Sequence, residues 1–420
     1  MFAPIFATQT PIRHVQRLLA LALAAATVSA GCRHAVRSSP AEPMATTVVA
    51  APTAPAVDRL GPLGTLPPPI AGEQLPDALP DSTFWRMVTT FSEPGGYFRS
   101  ENFVSNEMGL QHVISRLLPV VPPGGVYVGV GPEQNFTYVS ALRPRIAFVV
   151  DIRRQNLLQH LWYKAVFELS PTRADFLSRL FARAKPAGLD VAVSADSLIA
   201  VLDRTPADLS LFQRTFTEVR DRLLTHHGFA LDSSDVWTLR YVDSVFFAAG
   251  PLLNYSSGSS GGFGRGGTMP TFGQIASATD ETGVNRGFLG SEATYAAVRD
   301  LQRRNLIVPI VGNFSGPSAL RAVGNWIRER NARVNVFYTS NVEQYLFQQG
   351  DDWTRFYANV ETMPHDTNSA FIRSVTNRRF GAPPSTFMMA QLTSSMLEIV
   401  HGARTGGVQG YGDVIGKSKD

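Results

Sequence analysis

The chain has 420 residues, 44% of them hydrophobic and 17% charged, enough for one large core or two modest ones. Its net charge of +4 is carried by scattered lysines and arginines. No basic run interleaved with aromatics occurs, which argues against nucleic acid as a partner. The single cysteine, Cys32, excludes an internal disulfide framework, and a mature domain must be stable through its core alone.

The first element is the stretch "RLLALALAAATVSAGC". Arg13 and Arg17 make a positive region, Leu18 to about Ala26 an apolar one, and Ser29, Ala30 and Gly31 lead into Cys32. A spanning helix needs about 20 apolar residues, and a cleaved signal over residues 1–32 fits this shorter run better. The stretch resembles the bacterial lipoprotein signal. That resemblance implies acylation of Cys32, export, and a lipid anchor in the cell envelope, at the outer membrane or cell surface rather than in the cytoplasm. An ordinary signal peptide with a chance cysteine is the alternative. Residues 33–80, rich in Pro, Ala and Thr, read as a semi-extended tether with a reach of roughly 40 Å.

Order is expected from about residue 81. "STFWRMVTTF" and "SNEMGLQHVISRLLPVV" have helical spacing, with Ser105 as N-cap of the second and Met108, Leu110, Val113, Ile114 and Leu117 on one face. A turn-rich segment, "EPGGYFRSENFVSNE", separates them. Short apolar runs predict strands at Val126–Val130 and Ile146–Val150, followed by a helix from Ile152 to about Leu169. Residues 170–250 are mostly helical in pattern, and a Gly/Ser loop occupies 254–273. Strands are expected again at Leu306–Val311 and Val334–Tyr338, each with a helix after it, and the Gly-rich tail 401–420 should fray. Apolar runs that do not alternate, separated by helices, predict an α/β fold: a Rossmann-like, mostly parallel sheet covered by helices on both faces, within residues 81–400, with a helical insertion after the second strand.

The candidate chemistry sits at the ends of the first two strands. Gly129 and Gly131 form a Gly-x-Gly that lets the backbone turn tightly and approach a ligand; Asp151, 20 residues beyond Gly131, can accept hydrogen bonds from ribose hydroxyls. Gln134 replaces the third glycine of the dinucleotide fingerprint and Pro132 interrupts the helix start, so a ligand with ribose but no pyrophosphate suits the site. Asp151 serves equally as a cap for the following helix. Arg153 and Arg154 in its first turn oppose the helix dipole and call for an acid nearby, from Asp151 or from a ligand. Asn313 follows the third strand at the same edge, as a site residue or a loop-stabilising amide. Asn102, Ser105, Asn106 and Glu107 are candidates to close over that edge. Ser340 and Glu343 spell a capping box, S-x-x-E.

Three other patterns carry no function. The Gly258–Gly262 match to G-x-S-x-G lies in low-complexity loop rather than between a strand and a helix. His226 and His227 adjoin with no carboxylate or cysteine cluster to complete a metal site, and His365-Asp366 has no nucleophile beside it in the sequence.

The Gly-x-Gly at the first strand and the acid at the second resemble the class I S-adenosylmethionine-dependent methyltransferase fold. "TGVNRGFLGSEATY", "NLIVPIVGNFSGPSALRAVGNWI" and "VFYTSNVEQYLF" resemble an uncharacterised family of bacterial lipoproteins, some from leptospires, with a methyltransferase-like fold. The resemblance covers most of residues 82–380. It implies the fold, and S-adenosylmethionine as a possible cofactor held by Gly129, Gly131 and Asp151. Tyr127 departs from it, standing where the superfamily usually carries an acid. The expectation is an exported, membrane-anchored lipoprotein that binds a small ribose-bearing ligand or a protein; the alternative is a methyltransferase of unknown acceptor.

Overall fold

A computed structural model describes residues 66–188, 192–257, 269–376 and 389–419. The expected signal peptide with Cys32, most of the expected tether and the centre of the Gly/Ser loop lie outside the described residues.

Among the described residues the first helix, α1, spans Asp81–Thr90, and a single turn, α2, spans Ile114–Leu117. Strand β1 (Val126–Gly129), helix α3 (Gln134–Leu142) and strand β2 (Ile146–Asp151) follow. The described residues between β2 and β3 are mostly helical: α4 (Arg154–Leu169), α5 (Arg173–Phe181), α6 (Ala195–Arg204), α7 (Leu209–Asp221), α8 (Ser233–Ala249), α9 (Phe272–Ser277) and α10 (Glu292–Arg303). Strand β3 (Ile307–Val311), α11 (Ala319–Arg328), β4 (Val334–Ser340), α12 (Val342–Leu346) and α13 (Asp352–Glu361) restore the alternation. Strands β5 (Ala370–Thr376) and β6 (Met389–Ser395) and helices α14 (Met396–Thr405) and α15 (Tyr411–Gly416) complete the chain.

The six strands form one sheet in the order β3-β2-β1-β4-β5-β6, parallel except for β6. Every residue of β1, β2 and β3 is buried, so both faces of the sheet are covered, as non-alternating runs such as "IAFVVD" require. Pro309, which cannot donate to a ladder, sits in β3 at the sheet edge, where proline is tolerated. The architecture is α/β and Rossmann-like.

Helix α4 is buried on nearly all sides, polar residues included. Its Lys164 Nζ donates to Glu168 Oε1 at 2.6 Å within the core, and Glu168 Oε2 lies 2.8 Å from His227 Nε2. The two arginines where it begins are each answered by an acid: the N-cap Arg153 by Asp151, and Arg154 by Asp235 at 2.6–2.7 Å.

Four expectations are corrected. Residues 66–80 are not tether: Leu75 and Leu79 are buried, and the amides of Gln74 and Leu79 donate to the carbonyls of Arg330 and Arg304. The tail does not fray, because Val408 and Val414 are buried and Lys419 pairs with Thr393. Its Gly406, at φ +82°, takes the left-handed conformation that ends α14. The helix expected from Ser105 contracts to α2: the Ser105 hydroxyl accepts from the Glu107 amide and does not cap a helix, and the Glu107 side chain is drawn inward to the strand ends. The helix after β2 starts at Arg154 rather than Ile152, since Asp151 Oδ1 first closes a turn by accepting from the Arg153 amide at 2.9 Å.

Candidate functional site

The chain runs outward from β1 through β2 to β3, then crosses back to place β4 on the other side of β1. Such a reversal opens a crevice beyond the carboxyl ends of the strands. A cleft of about 340 Å³ lies there, lined by the turns that leave β1, β2, β3 and β4 and by the segment 97–107 folded over them. The volume is that of a small-molecule site.

Seven of the sequence-predicted residues meet in this cleft: Gly131, Asp151, Asn313, Asn102, Ser105, Asn106 and Glu107. Gly129 does not line it. A Cβ there would fall 2.0 Å from Asn135 Oδ1, so this glycine makes room for the side chain that organises the turn. The Asn135 Nδ2 lies 2.8–3.0 Å from the carbonyls of Val130, Gly131 and Pro132, and its Oδ1 accepts from the Tyr127 hydroxyl at 2.9 Å. Those carbonyls point into the protein, toward Asn135. His160 donates from Nε2 to the Gly131 carbonyl at 2.9 Å; burial lowers its pKa to about 4 and keeps the ring neutral.

Asp151 is held by its neighbour. Oδ1 accepts from the Arg153 amide and Nε, both at 2.9 Å, and Oδ2 from Nη2 at 2.8 Å. Oδ2 keeps room for one further donor. Arg153 Nη1 in turn donates to the carbonyls of Ser100 and Glu101, tying the overlying segment to β2. Asn313 does both things expected of it: it lines the cleft, and its Oδ1 accepts from the amide and hydroxyl of Ser315 at 3.1 Å.

Glu107 is 2% exposed, and burial raises its pKa. The Tyr338 hydroxyl donates to its two oxygens at 2.7 and 2.8 Å, the Ser340 hydroxyl to Oε1 at 2.7 Å, and Gln391 Nε2 to Oε2 at 3.2 Å. Among the described residues no lysine, arginine or histidine forms an ion pair with it. Glu133, also buried, is pushed up to about 7 by burial; the Ser105 amide at 3.0 Å opposes the shift and the charge of Glu107 adds to it. The Glu133 Oε2 and the Asn102 Oδ1 are buried with no hydrogen-bond partner.

The S-x-x-E capping box does not form. Asn341 is the N-cap of α12, Ser340 bonds Glu107, and Glu343 is buried against Arg373, Tyr357 and Thr339. Sequence reading also missed Glu93. Its carboxylate accepts from the amides of Asn313 (3.1 Å), Ser318 (2.7 Å) and Ala319 (2.8 Å), at the N-terminus of α11. Nothing local marks Glu93, Glu133 or Asn135, whose partners are set by tertiary structure. His365 bonds the Met363 carbonyl and Asp366 pairs with Arg333, so they form no catalytic pair. Among the described residues no group of three or more His, Cys, Asp or Glu side chains is placed to hold a metal ion.

A family model described as a domain of unknown function (DUF7790) matches residues 102–225 and 271–400, a span that takes in β1 to β6 and most of the cleft's lining, with Tyr97, Phe98, Arg99 and Tyr255 outside it. No curated protein matches the chain. With well over half of its residues matched, the chain belongs to the DUF7790 family.

Proposed function

We propose that the cleft binds a small ligand bearing ribose or a similar vicinal diol, and that the protein is an exported, lipid-anchored binding module with a methyltransferase-like fold. The observation that carries the ligand reading is the meeting of Gly131, Asp151, Asn313 and Glu107, from four separate segments, around one cleft at the reversal of strand order. Asp151 Oδ2 has an acceptor position to spare for a hydroxyl. The inward carbonyls of the β1 turn favour a ligand without pyrophosphate there, since a phosphate needs amides turned toward it. The anchor reading rests on Cys32 and the residues before it.

A methyltransferase is the second reading. It is favoured by the parallel order β3-β2-β1-β4-β5 with an antiparallel strand beyond β5, and by the acid that ends β2. Gly131 would then approach S-adenosylmethionine through its backbone and Asp151 would hold the ribose; the cofactor would supply an electrophilic methyl group. Tyr127, buried and bonded to Asn135, offers no acid to its amino group.

Calorimetric titration of the full-length protein with adenosine, S-adenosylmethionine and S-adenosylhomocysteine separates these readings. Binding of all three, weakened at least about tenfold by Asp151→Asn, supports a ribose site; tenfold corresponds to about 1.4 kcal/mol, the scale of one hydrogen bond. Micromolar binding of the two sulfur compounds alone favours the methyltransferase. No heat with any of them removes the ribose reading. Membrane fractionation of wild type and Cys32→Ser tests the anchor, which fails if both partition alike.

A further inference from the structure

The end of β4 is distorted in a way its sequence does not demand. Ser340 has φ +50°, a left-handed conformation that is strained for a residue with a Cβ, and the pairing of β4 with β5 slips between Tyr338 and Ser340. The chain enters α12 two residues later. A strand, a strained turn and a helix present Ser340 to the cleft, and strain of this kind is often retained where a side chain must be aimed.

The side chain is aimed at an acid. Ser340 Oγ donates to Glu107 Oε1 at 2.7 Å, the length of a good hydroxyl–carboxylate bond. Glu107 is fixed from its other sides by Tyr338, Gln391 and the Ser374 hydroxyl. The ionisable groups close enough to feel its charge are Glu133, Tyr127, Tyr138 and Tyr338. None of them supplies a positive charge, and burial strengthens Glu107 as a proton acceptor. A nucleophile within reach of a base, and a base oriented by further groups, is the signature of an activated hydroxyl. Ser340 is only partly buried, whereas Glu107 is shielded from bulk water.

We propose that Ser340 is a nucleophile and Glu107 its general base, acting on small carboxylic esters that fit the cleft. In the first step a bond forms between Ser340 Oγ and the ester carbonyl carbon. The hydroxyl proton passes to Glu107 Oε1, and the carbonyl π pair moves onto oxygen. The carboxamides of Asn313 and Asn341 line the same cleft as donors available to that oxyanion. Collapse breaks the carbon–oxygen bond to the leaving alcohol, which takes the proton back from Glu107. Water then attacks the acyl-serine, gives its proton to Glu107, and the serine leaves with that proton as the acid is released. Esters rather than amides fit this arrangement, because an alkoxide departs more easily than an amide anion from a carboxyl-based proton donor.

The assay is labelling of the folded, full-length protein with an alkyl fluorophosphonate, in which Ser340 Oγ displaces fluoride, followed by peptide mass spectrometry. The label should appear on Ser340, be absent in Ser340→Ala, and form about 100-fold more slowly in Glu107→Gln. In the wild type the rate should climb as pH rises through the ionisation of Glu107, above the ordinary glutamate range. This last readout needs no variant, and a merely structural Glu107 would not produce it. Urea unfolding of each variant verifies the fold. Failure of native protein to label at Ser340 with excess probe, or a labelling rate flat from pH 5 to 9, overturns the proposal. These outcomes are independent of whether adenosine or its sulfur-bearing relatives bind.

Discussion

Replacing Glu133 by glutamine should make the protein more stable, and only on the alkaline side. Glu133 is buried, with a pKa raised from 4.5 to about 7. Below about pH 4.5 the carboxyl is protonated folded or unfolded and has no effect. Between 4.5 and 7 the folded chain holds a proton that the unfolded chain has released, and stability falls as pH rises. Above 7 both states are ionised and the loss is complete. Moving the ionisation from 4.5 to about 7 puts that loss at about 3 kcal/mol. Glutamine preserves the shape and the acceptor for the Ser105 amide, and it has no charge to bury. Urea denaturation at pH 5 and pH 8.5 should show Glu133→Gln within about 1 kcal/mol of wild type at the lower pH and about 3 kcal/mol above it at the higher. Parallel stability curves would refute the reasoning. A smaller shift in Glu107→Gln would verify that the charge of Glu107 contributes to it.

Three further outcomes are expected. Glu93→Ala removes the acceptor for the amides of Asn313, Ser318 and Ala319 and should lower stability by about 1–2 kcal/mol, with faster hydrogen exchange at those amides; unchanged exchange would deny Glu93 its role. Lys164→Met strips the 2.6 Å partner from buried Glu168, at a cost of about 3 kcal/mol at pH 7 by urea denaturation. Burial alone pushes Glu168 up, but Lys164 and His227 hold it down at about 2, so its stabilisation is present above about pH 4.5 and lost as pH falls toward 2; this acid-side decline should shrink in the variant. Ending the chain at Thr405 deletes buried Val408 and Val414 and should cost about 3 kcal/mol by thermal unfolding, and an unchanged melt would show that the tail contributes nothing.

The parts of the fold legible in the sequence are those whose signal is local. Strands β1 to β4 announce themselves as apolar runs that do not alternate, because both faces are buried; the polar exceptions are Asn335 and the residues that end β2 and β4. Residues 66–80 escaped notice because Leu75 and Leu79 stand among prolines with no helical or strand period, and their fixing contacts come from Arg304 and Arg330. Strands β5 and β6 were not anticipated; "AFIRSVT" places Arg373 in mid-strand, where its buried bonds to Glu343 and Ser394 make the position tolerable. The S-x-x-E pattern at Ser340 satisfies the local rule and breaks it in space. Each side chain found a stronger partner elsewhere, Ser340 in Glu107 and Glu343 in Arg373 and Tyr357. The cleft's glycine, acid and asparagine were legible because strand ends fix where they fall. Which groups would bond them was not.

Three carboxylates hold the segment after α1 against the strand ends, and the ways in which they are satisfied separate structure from chemistry. Glu93 is met by backbone amides at the start of α11, where the helix dipole supplies positive charge. Asp151 is met by the fork of Arg153, a full positive charge in bidentate geometry. Glu107 is met by the hydroxyls of Tyr338, Ser340 and Ser374 and by the Gln391 amide, which bring no charge. A buried anion without a cation keeps its appetite for a proton, and one of its donors is the hydroxyl of a strained serine that faces the cleft. Were Glu107 only a fastener, a cation would serve it better, as one serves Asp151; a neutral setting is what a group needs if it is to take up a proton and give it back.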